Sequence, residues 1–425
     1  MKNIKERNRV STNAMVFYSL FVYIRCMALS VNYGVVCEYN PFHYGHAHHL
    51  RLTKEKAQGI VCVMSGNFVQ RGECAIAPKH VRAQIAVQNG ADLVIELPSC
   101  YATASAAYFA AGAISLLHST GIVGGVSFGS ESGDAALLKK TAGLINSDEF
   151  SVLFKKYSAL GYSFPRARHA ALAEVCPESA LTLKNPNDTL GVEYINAAQK
   201  LGASFDWHVV ARKGVEHNSQ TPSAEFASAS MIRQRIRELG LDAVNEFVLN
   251  PELLEAQAQA GFFPAHLDNC KSAVVYKLRT ATPEEFRRVE GCKEGLENRI
   301  IKMAQREIEP DKIADLVKTK RYTHSRIKRM MLNTFLNIPA EAVLTPPPYI
   351  RVLAFNSRGR EMLREMKEKA GLPIIIRPAN AKRLEGYARQ LFMQEAFWTD
   401  LYSLCFPEEK VRIGGAEMKT AAIFV

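Results

Sequence analysis

The stretch 34-GVVCEYNPFHYGH-46 decides the reading of this chain. An apolar run from Gly34 through Val36 and Cys37 ends at Glu38 and Tyr39. Pro41 then keeps Asn40 out of the helical region, so the chain turns. Phe42 follows, and His43, Tyr44, Gly45 and His46 arrive at HxGH spacing, with a helix expected to start near Tyr44 or Gly45. The free N–H groups and positive dipole end of that helix make an anion site. Histidines three apart share one helix face. Two imidazole donors there suit an α-phosphate under attack, because nucleotidyl transfer rests on positioning and electrostatics. Gly45 lets a triphosphate approach the backbone closely. A lone HxxH reads as two structural histidines; the strand–turn–helix setting points instead to nucleotide chemistry. Ala47 leads on to His48 and His49, which suggest a metal. Adjacent side chains point apart, however, and no Cys or acidic set completes a site, so no tightly bound metal is expected.

Outward from this segment, short apolar strands alternate with amphipathic helices. Strands are expected at Tyr33–Glu38, Ile60–Met64, Leu93–Leu97, Gly125–Phe128 and Phe205–Ala211, with helices at 46–57, 79–89, 106–118, 133–145, 148–160 and 190–201. This predicts an α/β fold, a Rossmann-like parallel sheet with helices on both faces, whose ligands bind beyond the carboxyl ends of the strands. After about 240 the pattern turns mostly helical, punctuated by Pro251, Pro264, Pro283 and Pro310. A strand at Ile350–Phe355, a helix at Arg360–Lys369 and a strand at Pro373–Ile376 follow a stiff Thr345-Pro-Pro-Pro-Tyr349 connector. The expected division is 1–29 as an N-terminal extension, 30–240 as the catalytic domain and 241–425 as a mostly helical basic region. Residues 1–26 read as upstream translation of a frame that starts at Met27.

The chain has 425 residues, is 48% hydrophobic and carries a formal net charge of +11. That excess is local: residues 318 to 389 hold 16 Lys/Arg against 5 Asp/Glu. Localised positive charge points to a polyanion partner such as nucleic acid. Lys318, Lys320, Arg321, Arg326, Lys328 and Arg329 lie within twelve residues without an acid, with Tyr322 and His324 interleaved. Cations neutralise phosphates and aromatics stack on exposed bases. The nine cysteines form no CxxC pair, which favours a reducing, cytoplasmic setting.

Two further segments carry chemistry. In 228-SASMIR-233, Ser228 or Ser230 can cap a helix and Arg233 can reach a phosphate, completing a triphosphate clamp with the HxGH turn. Gln70, Arg71 and Glu73 lie in the loop expected at Ser65–Glu73, just past the second strand.

GVVCEYNPFHYGH, MSGNFVQRGE (64–73), ADLVIELP (91–98), FGSE (128–131), NPNDTLGVEY (185–194) and SASMIR occur in that order. Together they resemble the bacterial tRNA(Met) cytidine acetate ligase family, within the HxGH nucleotidyltransferase superfamily. The resemblance implies an ATP-dependent ligase that makes N4-acetylcytidine at the wobble cytidine of elongator tRNA(Met), using acetate and passing through acetyl-adenylate. It further implies ATP binding by the loop from Val36 to His49, with Gly129, Asn187, Arg212 and Lys213 adding contacts and Mg2+ accompanying the nucleotide. His43 and His46 would be catalytic, Gln70, Arg71 and Glu73 would line an acetate or cytidine pocket, and the basic segment would bind tRNA. The sequence departs from the family at Glu216, where an aromatic is expected, and SASMIR is looser than the SSTxIR form of the superfamily. Two alternatives stay open: a small-molecule adenylyl- or cytidylyltransferase or carboxylate-activating ligase of the same fold, and a non-catalytic RNA-binding protein.

Overall fold

The computed structural model describes residues 31–212, 227–292, 295–319 and 322–425. The N-terminal extension, Lys213, Glu216, Lys320 and Arg321 lie outside the described residues.

The elements in chain order are β1 (Asn32–Cys37), α1 (Tyr44–Lys54), β2 (Gly59–Ser65), β3 (Phe68–Val69), β4 (Glu73–Cys74), α2 (Lys79–Gln88), β5 (Leu93–Leu97), α3 (Ala106–Ser119) and β6 (Val123–Ser130). Then come α4 (Ala135–Ile145), α5 (Asp148–Ala159), α6 (Phe164–Val175), α7 (Pro186–Leu201), β7 (Asp206–Ala211) and α8 (Ala229–Leu239). The second half contributes α9 (His324–Leu336), β8 (Ile350–Phe355), α10 (Ser357–Lys369), β9 (Ile374–Ile375), α11 (Gly386–Ser403) and β10 (Ile423–Phe424), joined by shorter helices.

The main sheet runs β10-β8-β5-β2-β1-β6-β7, with β9 paired to β8. From β5 through β7 the pairing is parallel. The chain moves outward from β1 through β2 to β5, then jumps back across β1 to lay down β6 and β7. β1 is thus the switch strand, and crevices for ligands open at the carboxyl end of such a strand. The HxGH turn follows it directly.

Every residue of β2 is buried, and its side chains alternate between two cores. Val61 and Val63 pack with α3, α7 and helices of the second half. Ile60, Cys62 and Met64 pack with Tyr39, Phe42, α2 and Ile232 and Ile236 of α8. Burial on both faces is why these strands read as unbroken apolar runs.

The division expected at residue 240 does not separate two cores. β8 pairs antiparallel with β5 and extends the same sheet, and residues of α9 and α11 share a core with β2 and α3. A buried ion network fastens the join. Lys79 Nζ lies 2.6 Å from Glu96 Oε1 and 2.5 Å from Glu417 Oε2, and Arg351 Nε lies 3.1 Å from Glu417 Oε1. The expected boundary tracks a change of composition. The connector and the loss of βα alternation mark a change of pattern, whereas strand pairing between residues about 260 apart leaves no local trace. The β3–β4 hairpin, in a segment read as a loop, is likewise a two-residue pairing too short to show as periodicity.

Among the described residues no helix is long and apolar enough to cross a membrane. The eight described cysteines are free thiols.

Candidate active site

His43 is the N-cap of α1, with extended backbone at φ −143°, and the helix begins at Tyr44. The His43 Nδ1 accepts from the Gly45 N–H at 3.1 Å. In return the His43 N–H donates to Nδ1 of His46 at 3.3 Å. The two histidines thus form a reciprocal capping box, the part usually played by Ser/Thr and Glu/Gln. The rings stack with centroids 3.7 Å apart, and His46 also packs on Tyr39 and Phe42.

This arrangement fixes the tautomer. An Nδ1 that accepts a hydrogen bond in a neutral imidazole leaves the proton on Nε2. Both rings are held neutral. Burial, reinforced by the Arg212 charge, pulls His43 down to about 3. Burial, then His43, Arg212 and His49, hold His46 well below the ordinary histidine range. The site therefore presents two fixed Nε2–H donors that need no added proton.

Other groups gather around them. The turn places Tyr39 at φ +47°, and the Asn40–Pro41 bond is cis. The His49 ring is 2.9 Å from Ser127 Oγ, which is also 2.8 Å from Thr53 Oγ1. Burial, then His208 and Arg212, bring His49 down to about 4. Arg212 is exposed and its side chain lies against Gly129, where a Cβ would stand 3.4 Å from Arg212 Cγ. Gly129 and Arg212 thus share the crevice mouth at the carboxyl ends of β6 and β7, beside the HxGH turn.

Asn187 sits in the first turn of α7, and its side-chain amide donates to Glu131 Oε1 at 2.5 Å. Glu131 also accepts from the Asp188 N–H at 2.9 Å. Asn187 is therefore engaged with the chain itself. Ser228 caps α8, accepting from the Met231 N–H at 3.3 Å, and is 3.2 Å from Ser230 Oγ. Arg233 is turned inward: it donates to the Asn40 carbonyl at 2.9 Å and pairs with Glu73 Oε2 at 3.0 Å.

Glu73 is a junction. Its second oxygen, Oε1, is 2.9 Å from Lys328 Nζ, and Lys328 also lies 2.7 Å from Asp311. Arg233 and Lys328 outweigh the cost of burial and hold the Glu73 carboxyl down at about 2. The Gln70 N–H donates to Glu38 Oε1 at 2.7 Å, and the Gln70 carbonyl accepts from Arg329 at 3.2 Å. Gly72, at φ +76°, lets the loop press on α9: a Cβ there would lie 2.4 Å from the Arg329 nitrogen. Gln70 and Glu73 thus sit between the HxGH turn and the basic helix, and exposed Arg71 belongs to the same loop.

Three of the six cations expected to face RNA are spent inside the protein. Lys328 pairs with Glu73 and Asp311, Arg329 reaches Gln70, and Arg326 donates to the Gly291 carbonyl at 2.6 Å. Their partners are distant in sequence, which a local charge count does not see. Lys318 is exposed.

Several supporting residues carry weak sequence signals. Arg82, 1% exposed, donates to the carbonyls of Ala77 and Ser65 at 3.0 and 3.1 Å, and to those of Glu38 and Gly66. It holds the carboxyl ends of β1 and β2 together. A cation on the apolar face of 79-KHVRAQIAV-87 is the clue that could have found it. Ser127, inside an apolar strand, gives a similar clue.

The family model for HIGH nucleotidyl transferases matches residues 31–416. A tRNA(Met) cytidine acetate ligase of Thermoanaerobacter sp. strain X514 is 39% identical, covering 89% of this chain and 96% of that protein. One from Fervidobacterium nodosum is 36% identical, covering 92% and 98%. Two crystal structures of Thermotoga maritima TmcAL superpose over 93% of this chain and 99% of theirs. The apo form gives a TM-score of 0.89 at 35% identity. The form bound with alpha-thio ATP gives 0.86 at 36%. With a capped HxGH turn at the switch strand of the sheet and relatives matched along nearly their whole length, this chain belongs to the tRNA(Met) cytidine acetate ligase family of HIGH nucleotidyl transferases.

Proposed function

We propose that this protein uses ATP to activate acetate as acetyl-adenylate and transfers the acetyl group to the N4 amine of the wobble cytidine of elongator tRNA(Met). The observation that carries the reading is the HxGH capping box, which aims two neutral Nε2–H donors from the carboxyl end of the switch strand. The alpha-thio ATP bound by the Thermotoga maritima neighbour supports a nucleotide as the ligand.

In the first step an acetate oxygen attacks the α-phosphorus and pyrophosphate leaves. His43 and His46 donate to oxygens on which charge accumulates, without forming a covalent bond. Their neutrality suits this role, since a donor that stays un-ionised needs no proton transfer. Gly129 and Arg212 border the nucleotide, and Asn187 positions the loop through Glu131. Mg2+ would accompany the phosphates as part of the substrate, offsetting charge on the leaving pyrophosphate. In the second step the cytidine amine attacks the acyl carbon, AMP leaves with the bonding pair, and the amine sheds a proton. Adenylation turns a poor leaving group into a good one, so no Ser-His-Asp or Cys-His set is required.

The test is purified protein with radiolabelled acetate, ATP and total bacterial tRNA. ATP-dependent label in methionine tRNA is the expected result. Acetate-dependent ATP–pyrophosphate exchange without RNA labelling would favour a small-molecule ligase. Salt-sensitive tRNA binding without exchange would favour a non-catalytic RNA-binding protein.

A further inference from the structure

From the α5–α6 hairpin we infer a second surface for the RNA, one that clasps unpaired nucleotides beside the reacting cytidine. This rests on the proposed tRNA substrate. Residues 150 to 173 contain Lys155, Lys156, Arg166 and Arg168, five aromatics and no acid. The helices pack around a small core of their own, Phe150, Ala171, Leu172 and Ala180, separate from the two that flank the sheet. Arg168 is used internally, against Glu193.

The tip faces solvent with groups that a protein interior would normally hide. Leu160 is 64% exposed and Phe164 is 61% exposed. These groups are braced. Tyr157 and Tyr162 lie 5.4 Å apart at 32°, the Arg166 guanidinium stands 4.0 Å over the Tyr162 ring, and Phe164 packs edge-on to Phe154. Lys155 and Arg166 are exposed. Lys156 and Tyr157 share Glu174, the acid that ends the run. Flat rings and a guanidinium plane among phosphate-seeking cations match unstacked bases on an RNA backbone.

Position and charge both favour RNA as the occupant. The connection that carries the hairpin leaves the sheet at Ser130, the carboxyl end of β6. It returns at Asp188, whose carboxylate accepts from Ser130 Oγ and, at 3.2 Å, from the Ser132 N–H. The hairpin is therefore rooted at the nucleotide crevice. Meanwhile Arg326, Lys328 and Arg329 are occupied within the chain, so the polyanion needs other cations.

The experiment compares full-length wild type with K155E/R166E and with Phe164→Ala, using methionine tRNA across a salt series alongside acetate-dependent ATP–pyrophosphate exchange. The expected charge variant binds tRNA at least tenfold more weakly, and its log–log salt slope is shallower by roughly one to two. Phe164→Ala weakens binding about tenfold with the slope unchanged, as loss of a stacking face does. Pyrophosphate exchange stays at the wild-type rate in both. Wild-type tRNA affinity and salt slope in the charge variant would overturn the inference. Wild type that fails to bind tRNA at any salt would overturn the functional reading, and the hairpin assignment with it.

Discussion

The HxGH turn and the basic segment at 318–329 were both conspicuous as sequence, yet they behave differently in the fold. In the turn, each histidine's Nδ1 is satisfied by backbone two or three residues away, so the local sequence contains most of its own structural explanation. In the basic segment, Lys328, Arg329 and Arg326 are engaged by Glu73, Gln70 and Gly291, which a local reading cannot supply. A motif whose partners are its neighbours can be read directly. A charge run acquires its meaning only from what folds against it.

The largest expected effect would break this contrast if it failed. Arg329→Glu should cost on the order of 3 kcal/mol in urea denaturation, as expected when a half-buried, hydrogen-bonded cation packed against a tight loop is replaced by an acid. A stability within 0.5 kcal/mol of wild type would mean that the segment is a solvated face after all. On the other side of the comparison, His46→Ala should slow acetate-dependent ATP–pyrophosphate exchange about 100- to 1000-fold, the scale of losing one donor to a transition-state oxygen. Its tRNA affinity should be unchanged; a parallel loss of both would sink the division of labour.

Glu73 joins the two regions, so Glu73→Gln sharpens the comparison. Its carboxyl is held at about 2 against an ordinary 4.5. Because the folded value is depressed, its contribution is fully present above pH 4.5 and is lost as pH falls towards 2. The substitution should therefore cost on the order of 2–3 kcal/mol at pH 7 and progressively less below pH 4.5. A pH-independent difference would show that the ion pairs do not carry it. The smallest effect belongs to exposed Lys318. Lys318→Glu should change stability by less than about 0.5 kcal/mol while making the tRNA salt slope shallower by roughly 0.7–0.9; an unchanged slope would remove Lys318 from the RNA surface.

The same distinction explains what was legible. The parallel strands were readable because burial on both faces leaves unbroken runs such as 60-IVCVM-64. The start of α1 and the Ser228 cap were readable because capping is local. β8 was readable as a strand but not as a member of this sheet, since its partner Ile95 lies about 260 residues away. Arg233 was readable as a cation in the first turns of a capped helix, but its inward turn towards Glu73 and the Asn40 carbonyl depends on how the loops meet. The Lys79–Glu417–Arg351 network needs three segments at once.

The capping box makes His43 and His46 neutral imidazoles protonated on Nε2. Long-range 15N–1H spectra of the histidine side chains, recorded on the free protein from pH 5 to 8, test it most directly. The expected spectra assign both rings to the Nε2–H tautomer with no titration across that range. A midpoint near 6.5 for either ring, or a proton on Nδ1, would contradict it.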